Sequence, residues 1–278
     1  NGATRNFSGT PLNSDVGTTT VTVTAVDGHG GIISNTFDIV ITNVNDAPTV
    51  TNPIPDQAVD EDTPFSFTFA ADTFDDVDGD SLSYSSDASG WLSFDDASRT
   101  FSGTPQNSDV GTITVTVTAA DGHGGTITDT FDIVTTNVND APVITSTANI
   151  VATEESPYTY TFTATDVDAG DTLILTAETL PIWLSFDPGT GVLSGTPTNG
   201  DLGDHSVVLR VNDGSVDVDQ SFTITVNNIN DAPTVANPIP DQAVNEDTPF
   251  SFTFAANSFN DIDGDSLTYS SDASGWLS

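Results

Sequence analysis

The 278-residue chain has no cysteine and no methionine. The first absence excludes a disulfide framework and a zinc-type thiolate cluster. The second means that no initiator residue opens the sequence, which leads us to expect a fragment or processed piece of a longer chain. Lysine is absent too, and only Arg5, Arg99 and Arg210 stand against 41 acids, for a formal charge of −38. Nucleic-acid binding needs a basic footprint that displaces counterions, and anionic membrane surfaces need the same, so neither is expected as a partner. No run of 18 apolar residues and no signal peptide occurs, so no membrane insertion is expected here and targeting would lie outside this stretch. Glutamate is nearly missing: five of the 41 acids are Glu and the rest are Asp. A chain that needed only solubility could use either acid, whereas short Asp carboxylates in turns can converge on a cation. Bound cations would also relieve the self-repulsion of so acidic a fold. One sequon, Asn6-Phe7-Ser8, reads as a chance match.

The chain does contain apolar residues, 36% of the total, regularly placed and sufficient for two or three domain cores. "ITNVNDAPTV" at 41–50 returns as "TTNVNDAPVI" at 135–144 and "NNINDAPTVA" at 227–236. Asp46, Asp140 and Asp231 fall in register, with periods of 94 and 91 residues, each a domain's length of chain. Residues 47–93 and 232–278 differ at seven of 47 positions, and residues 1–46 and 95–140 at eleven of 46. The expected domains are therefore complete repeats at 47–140 and 141–231, a C-terminal half repeat at 1–46 and an N-terminal half repeat at 232–278.

Inside a period the pattern has a spacing of two. "PFSFTFAA" (64–71), "TITVTVTAA" (112–120) and "TDTFDIVTTN" (129–137) alternate apolar residues with Thr, Ser or Asp. Asp-Gly, Gly-Gly and Gly-Thr-Pro turns separate them, at the spacing of a seven-strand sandwich of roughly 100 residues. The strands are expected near 49–59, 64–70, 81–85, 91–94, 99–102, 112–119 and 126–136. Trp91, Trp183 and Trp276 open the fourth of these, where tryptophan is expected to fill the core.

Turns then sort by end of the sandwich. One end of the second repeat collects Asp76, Asp78, Asp80 and Asp121 with the linker residues Asn45 and Asp46. The other collects Glu61, Asp62 and Asp109 with Asn139 and Asp140. Stacking repeats would set these against Asp166, Asp168, Asp171 and Asp213 at the second junction. At the third, Glu154, Glu155, Asp201, Asn230 and Asp231 would meet Asp261, Asp263 and Asp265. Six to eight hard oxygens is what Ca²⁺ takes, whereas Mg²⁺ prefers to keep waters. Three loop types and a linker all placing acids at the same ends outweigh the plain reading of good turn formers. An EF-hand is excluded at 76–87, because loop position six is Ser81 and no helices flank it. The nonapeptide Ca²⁺-binding β-helix repeat is absent as well.

The residues resemble cadherin repeats of the dystroglycan type and the immunoglobulin-like modules of bacterial surface proteins. "NVNDAP" is similar to the cadherin linker, "DVD" at 76–78 and 166–168 and "DID" at 261–263 to its Asp-x-Asp element, and "TAADG" to its late loop. "WLSFDPGTGVLSGTPTNGDLG" (183–203) resembles the signature of the dystroglycan-type branch. Two departures stand out. The Asp-Arg-Glu element is replaced by "SGTPxNSDVG", and the linker lacks its second flanking Asn. The resemblance implies an all-β chain of tandem seven-stranded Greek-key sandwiches arranged end to end as a rod. It also implies Ca²⁺ at the junctions, fewer ions per junction than in cadherins, and a surface or secreted location.

The expected function is a Ca²⁺-stiffened extracellular stalk of a bacterial adhesin or surface fibre, with neighbouring repeats of the same chain as partners. Two alternatives stand beside it. One is a module binding carbohydrate or cell-surface glycans, which exposed aromatics on a strand face would favour, but Tyr84, Tyr158, Tyr160 and Tyr269 are few and lie in strand-like positions. The other is a filament whose half repeats complete one another between copies. Enzyme activity is not expected, because the carboxylates lie in solvent-facing turns and no nucleophile–base pair recurs. His29, His123 and His205 read as loop residues.

Overall fold

The computed structural model describes residues 5–275 and 277, and the chain divides into two compact units, residues 1–138 and 139–278. No α-helix occurs among the described residues. The first unit opens with a 3₁₀ turn at Asn13–Asp15 and a hairpin of β1 (Gly17–Val26) and β2 (Ile32–Ile41), paired from Gly17↔Ile41 to Val26↔Ile32. Its turn is local chemistry: Gly28 and Gly30 take positive φ while Asp27 Oδ1 accepts the N–H groups of His29 and Gly31.

Nine strands follow in the first unit: β3 (Thr49–Val50), β4 (Gln57–Asp60), β5 (Phe65–Thr68), β6 (Phe74–Asp75), β7 (Ser83–Ser86), β8 (Leu92–Asp95), β9 (Thr100–Gly103), β10 (Gly111–Ala120) and β11 (Thr126–Thr136). They make one sheet of order β4-β11-β10-β7, a facing sheet β5-β9-β8, and the short pair β3-β6. Between the sheets Phe69, Phe101, Val117, Phe131 and Ile133 are almost fully buried, as the alternating pattern requires. The single strand expected near 49–59 is two strands. Pro53 and Pro55 have no N–H to donate and interrupt it, so β3 pairs antiparallel with β6 and β4 pairs parallel with β11.

The second unit repeats this plan with β12 (Val143–Ile144), β13 (Val151–Thr153), β14 (Tyr158–Thr161), β15 (Ala164–Thr165), β16 (Ile174–Thr179), β17 (Leu184–Asp187), β18 (Val192–Gly195), β19 (Gly203–Asn212) and β20 (Asp217–Asn227). Its sheets are β13-β20-β19-β16 and β14-β18-β17, with β12 paired to β15. Phe162, Leu193, Leu209 and Ile224 fill the core. Trp91 and Trp183 pack half-buried on their respective cores; Trp276 lies outside the described residues. Each of the first two also explains a glycine. A Cβ on Gly103 would stand 2.0 Å from the Trp91 carbonyl oxygen, and one on Gly195 the same distance from that of Trp183.

Among the described residues after 231 only β21 (Thr234–Val235) and β22 (Phe259–Asn260) form, paired as β3 is with β6. The octapeptide "PFSFTFAA" shows why. At 64–71 it carries β5, whose partner is β9. At 249–256 the same eight residues form no strand. A strand needs a neighbour for its backbone groups, and the hairpin β1–β2 and the pair β21–β22 are the pieces whose neighbours are local.

Candidate metal centre

The site grows from the loop "DVDGD". Asp76 Oδ1 accepts the N–H of Asp78 at 2.9 Å and of Asp80 at 3.5 Å, and Gly79 closes the turn at φ 79°. This curl points the carboxylates inward, so that oxygens of Asp76, Asp78 and Asp80 lie within 4.8 Å of one another. Asp261, Asp263 and Asp265 form the same group on the same bonds, with Gly264 at φ 81°. In "DVDAGD" the inserted residue changes the set: Asp166 and Asp171 group with Asp213.

The linkers close over these loops. The N–H of Asp46 donates to Asp78 Oδ2 at 2.7 Å, the Asn45 amide to Asp121 at 2.9 Å, and the Asn13 amide to Asp78 Oδ1 at 2.8 Å. In the second unit the N–H of Asp140 donates to Asp168 (2.7 Å) and the Asn139 amide to Asp213 (3.0 Å). Past β20, the N–H of Asp231 donates to Asp263 Oδ2 at 2.6 Å and the Asn199 amide to Asp263 Oδ1 at 2.8 Å. Asn230 turns its amide to the carbonyl of Asp231. These donors stabilise the charged carboxylates. The Asp46 N–H and then the Asn13 amide hold Asp78 below the usual Asp range. The Asn45 amide does so for Asp121, and the Val216 N–H followed by the Asn139 amide for Asp213. Asp171 goes the other way, raised by desolvation and then by the charges of Asp168, Asp166 and Asp213.

Two glutamates complete the arrangement. Glu61 and Glu154 are each 1% exposed. Each gives one oxygen to a backbone N–H, from Val138 at 2.8 Å and from Ile229 at 2.6 Å, and keeps a buried Oε2 with no hydrogen-bond partner. Glu154 groups with Asp231 and Asp263 within 4.8 Å. Beside them the amide oxygen of Asn228 faces only acceptors, Glu154 Oε1 and Asp263 Oδ1 among them. Turned over, the amide donates to both at 3.0 Å. Asp76 Oδ2 is a further buried oxygen without a partner.

Four expected acids join neither these groups nor the linker bonds to them. Asp62 and Glu155 take left-handed backbone, φ 55° and 56°, and point into solvent beside their buried neighbours. Asp109 and Asp201 turn back to cap their own 3₁₀ turns, accepting the N–H of Gln106 and Thr198 at 2.9 Å. The loop's contribution comes instead from asparagine two residues earlier, Asn13 and Asn199. These, with Asn228, went unnoticed in the sequence because the only amides weighed with the acids were the linker's Asn45, Asn139 and Asn230. The constant Asn of "NSD/NGD" and the first Asn of "NVND/NIND" were the available signals. Of the tyrosines, Tyr158 and Tyr160 are buried, and the Tyr160 hydroxyl bonds Ser146 and Gln220, so neither is a surface platform.

Known proteins share this architecture. A four-repeat protocadherin fragment, "PcdhgB3 EC1-4", superposes with a TM-score of 0.57 at 19% identity, over 79% of this chain and 60% of that one. Mouse cadherin-23 repeats EC22-24 give 0.51 at 18% identity, over 79% and 78%. These likenesses concern the fold. A "Serine-rich adhesin for platelets" of Staphylococcus aureus is 36% identical over 129 residues, 46% of this chain and 5% of the adhesin. The strain MRSA252 protein of that name is 34% identical over 126 residues, 45% of this chain and 9% of its own length. The chain thus spans less than a tenth of these relatives. The model of the family described as "Putative Ig domain" matches residues 47–136, 141–227 and 232–278. Tandem all-β repeats and a family match over most of the sequence agree, and the chain belongs to that immunoglobulin-like family.

Proposed function

We propose that this chain is a Ca²⁺-stiffened segment of an extracellular stalk, part of a bacterial adhesin or surface fibre, with Ca²⁺ at the junctions between repeats. The observation that carries this reading is Glu154. A carboxylate almost wholly removed from water, with one oxygen unpartnered and two Asp carboxylates within 4.8 Å, is costly unless a cation balances it. The donor set fits Ca²⁺: carboxylates of Glu154, Asp231, Asp261 and Asp263, with the Asn228 amide oxygen beside them, all hard oxygen ligands. At the first junction Asp76, Asp78, Asp80 and Asp121 would supply the corresponding oxygens, and Asn45 and Asp46 would tie the linker to them.

In this reading the chain's own residues do the orienting. Backbone N–H groups fix one oxygen of Glu61 and of Glu154 and leave the other without a hydrogen-bond partner. A bound ion would favour the docked arrangement by mass action, whereas its removal would leave like charges facing one another. The likeness to staphylococcal adhesins supports the surface location. Thermal unfolding and small-angle scattering of the chain with millimolar Ca²⁺ and with excess chelator test it. Chelation is expected to lower the melting temperature and broaden the distribution of dimensions; identical melting and scattering in both would end the Ca²⁺ reading.

A further inference from the structure

We infer that the cleft beside Trp91, in the closed sandwich of the first unit, is a recognition site for a guanidinium group, the arginine side chain of a basic partner polypeptide. The inference is independent of the metal reading.

The cleft has a volume of about 310 Å³ and is walled by residues 87–92, at the β7–β8 turn, and by residues 108–115, at the entry to β10. Asp87, Ser89, Trp91, Ser108, Asp109 and Thr112 line it, and no basic side chain does. Such a volume is at the small end of ligand sites and suits one side chain of a partner. The turn has largely spent its backbone donors. The N–H of Asp87 donates to the Thr116 carbonyl, that of Ala88 to Ser86 Oγ and that of Leu92 to the Ser89 carbonyl. The indole N–H of Trp91 is buried, so the ring presents carbon to the cleft and not a donor. Two carboxylates are held in place at the rim: the Thr116 N–H donates to Asp87 Oδ1 at 2.7 Å, and the Gln106 N–H to Asp109 Oδ2 at 2.9 Å. Phe65 fixes the indole, with ring centroids 5.8 Å apart and planes at 79°.

The occupant that matches is positively charged, rich in donors and able to lie on an aromatic surface. Guanidinium carries five donors and no acceptor, pairs with carboxylates and stacks on aromatic rings. An ammonium has the charge but no plane to stack. An anion would meet two carboxylates in a chain whose net charge of −38 already repels it.

The second sandwich is a built-in control. Trp183 stands 92 residues after Trp91, and at the same offset Asp87 becomes Thr179, Ser89-Gly90 becomes Pro181-Ile182 and Ser108 becomes Gly200. Ile113, on the cleft wall, becomes His205, whose ring meets Trp183 at 5.9 Å. One carboxylate and one hydroxyl are lost there, and a ring stands against the indole.

NMR of the isotopically labelled chain, at physiological ionic strength with Ca²⁺ present, tests the inference with three probes: N-acetyl-arginine amide, its uncharged analogue N-acetyl-citrulline amide, and methyl glucoside. The expected result is saturable shifts at Ser89, Trp91 and Thr112 with the arginine probe alone, and none at Trp183. Asp87→Asn keeps an oxygen for the Thr116 N–H and should weaken binding by roughly two- to fivefold, as for an exposed charge pair; a circular dichroism melt checks that the variant is folded. Equal binding of the citrulline probe would remove the charge from the argument, and saturation of the same residues by methyl glucoside would make the cleft a sugar site. Either result, shifts spread without saturation over all the acidic turns, or unchanged affinity in folded Asp87→Asn would overturn the inference.

Discussion

Replacing Glu154 by Gln separates a ligand from a structural acceptor by the sign of its effect. The amide keeps the shape of the side chain and an Oε1 to accept the Ile229 N–H. What it removes is a buried negative charge within 4.8 Å of Asp231 and Asp263. At an effective dielectric of 20, two unit charges at that separation repel by about 3 kcal/mol. Asp231 and Asp263 are half-exposed, and solvent screening reduces the net effect to roughly 1–2 kcal/mol. In chelator Glu154→Gln should therefore stabilise the third junction, raising its transition by on the order of 5–15 °C for a domain of this size. In Ca²⁺ that advantage is cancelled. An ion at a hundred times its dissociation constant stabilises by about 2.7 kcal/mol, and a tenfold weaker site keeps only about 1.4. Calorimetry of wild type and variant, each in Ca²⁺ and in chelator, supplies the four numbers required. If Glu154→Gln lowers the transition equally in both, Glu154 is a hydrogen-bond acceptor only and the reasoning fails.

Further expectations rest on other parts of the molecule. Phe131→Ala should cost about 3–5 kcal/mol, since Phe131 is 2% exposed and packs on Phe67 and Phe101. Phe37→Ala, 94 residues earlier in the repeat and at a position 41% exposed, should cost about 1 kcal/mol or less; equal losses in denaturant melts would contradict that difference in burial. Gly125→Ala should destabilise the first junction by roughly 1–3 kcal/mol, because the new Cβ would lie 2.2 Å from Asp121 Oδ2 and 2.8 Å from Ala47 Cα; a neutral melting curve would refute that packing. In chelator, the lowered carboxyls of Asp78, Asp121 and Asp213 contribute stability above the ordinary Asp pKa of about 3.9, lost as pH falls through their lower folded values. The raised Asp171 has the opposite sign: its contribution is present at acid pH and lost as pH rises through its folded value. Asp171→Asn should therefore stabilise the chelated second unit at neutral pH and lose that advantage in acid, as read by circular dichroism melts.

Much of this was legible in the residues because the chain repeats itself. Strands β5, β7, β8, β9, β10 and β11 lie where alternation and turn residues put them. The break between β3 and β4 was written in Pro53 and Pro55 but needed to be read as a lost ladder donor. That β4 pairs parallel to β11 has no local signature, because parallel pairing is decided by topology. In the site, adjacent acids illustrate the limit. Glu61 and Asp62 look alike in sequence, yet the backbone turns one inward and the other, at φ 55°, outward. The strandless 249–256 could not have been read at all, since its sequence is that of β5.

The parallel pair has a mechanical meaning. β4 lies near the beginning of its repeat and β11 closes it, side by side and in the same direction, with Ile133↔Gln57 through Thr136↔Asp60 in register. β13 and β20 repeat the pairing from Val151↔Thr225 to Asn227. Tension applied at the two ends of such a repeat drags these strands past each other along their length. All bonds of the register then share the load in shear, whereas an antiparallel hairpin pulled at its open end unzips one bond at a time. Single-molecule pulling on the whole chain should accordingly show two high-force events, one per closed sandwich, and low-force release of the β1–β2 hairpin.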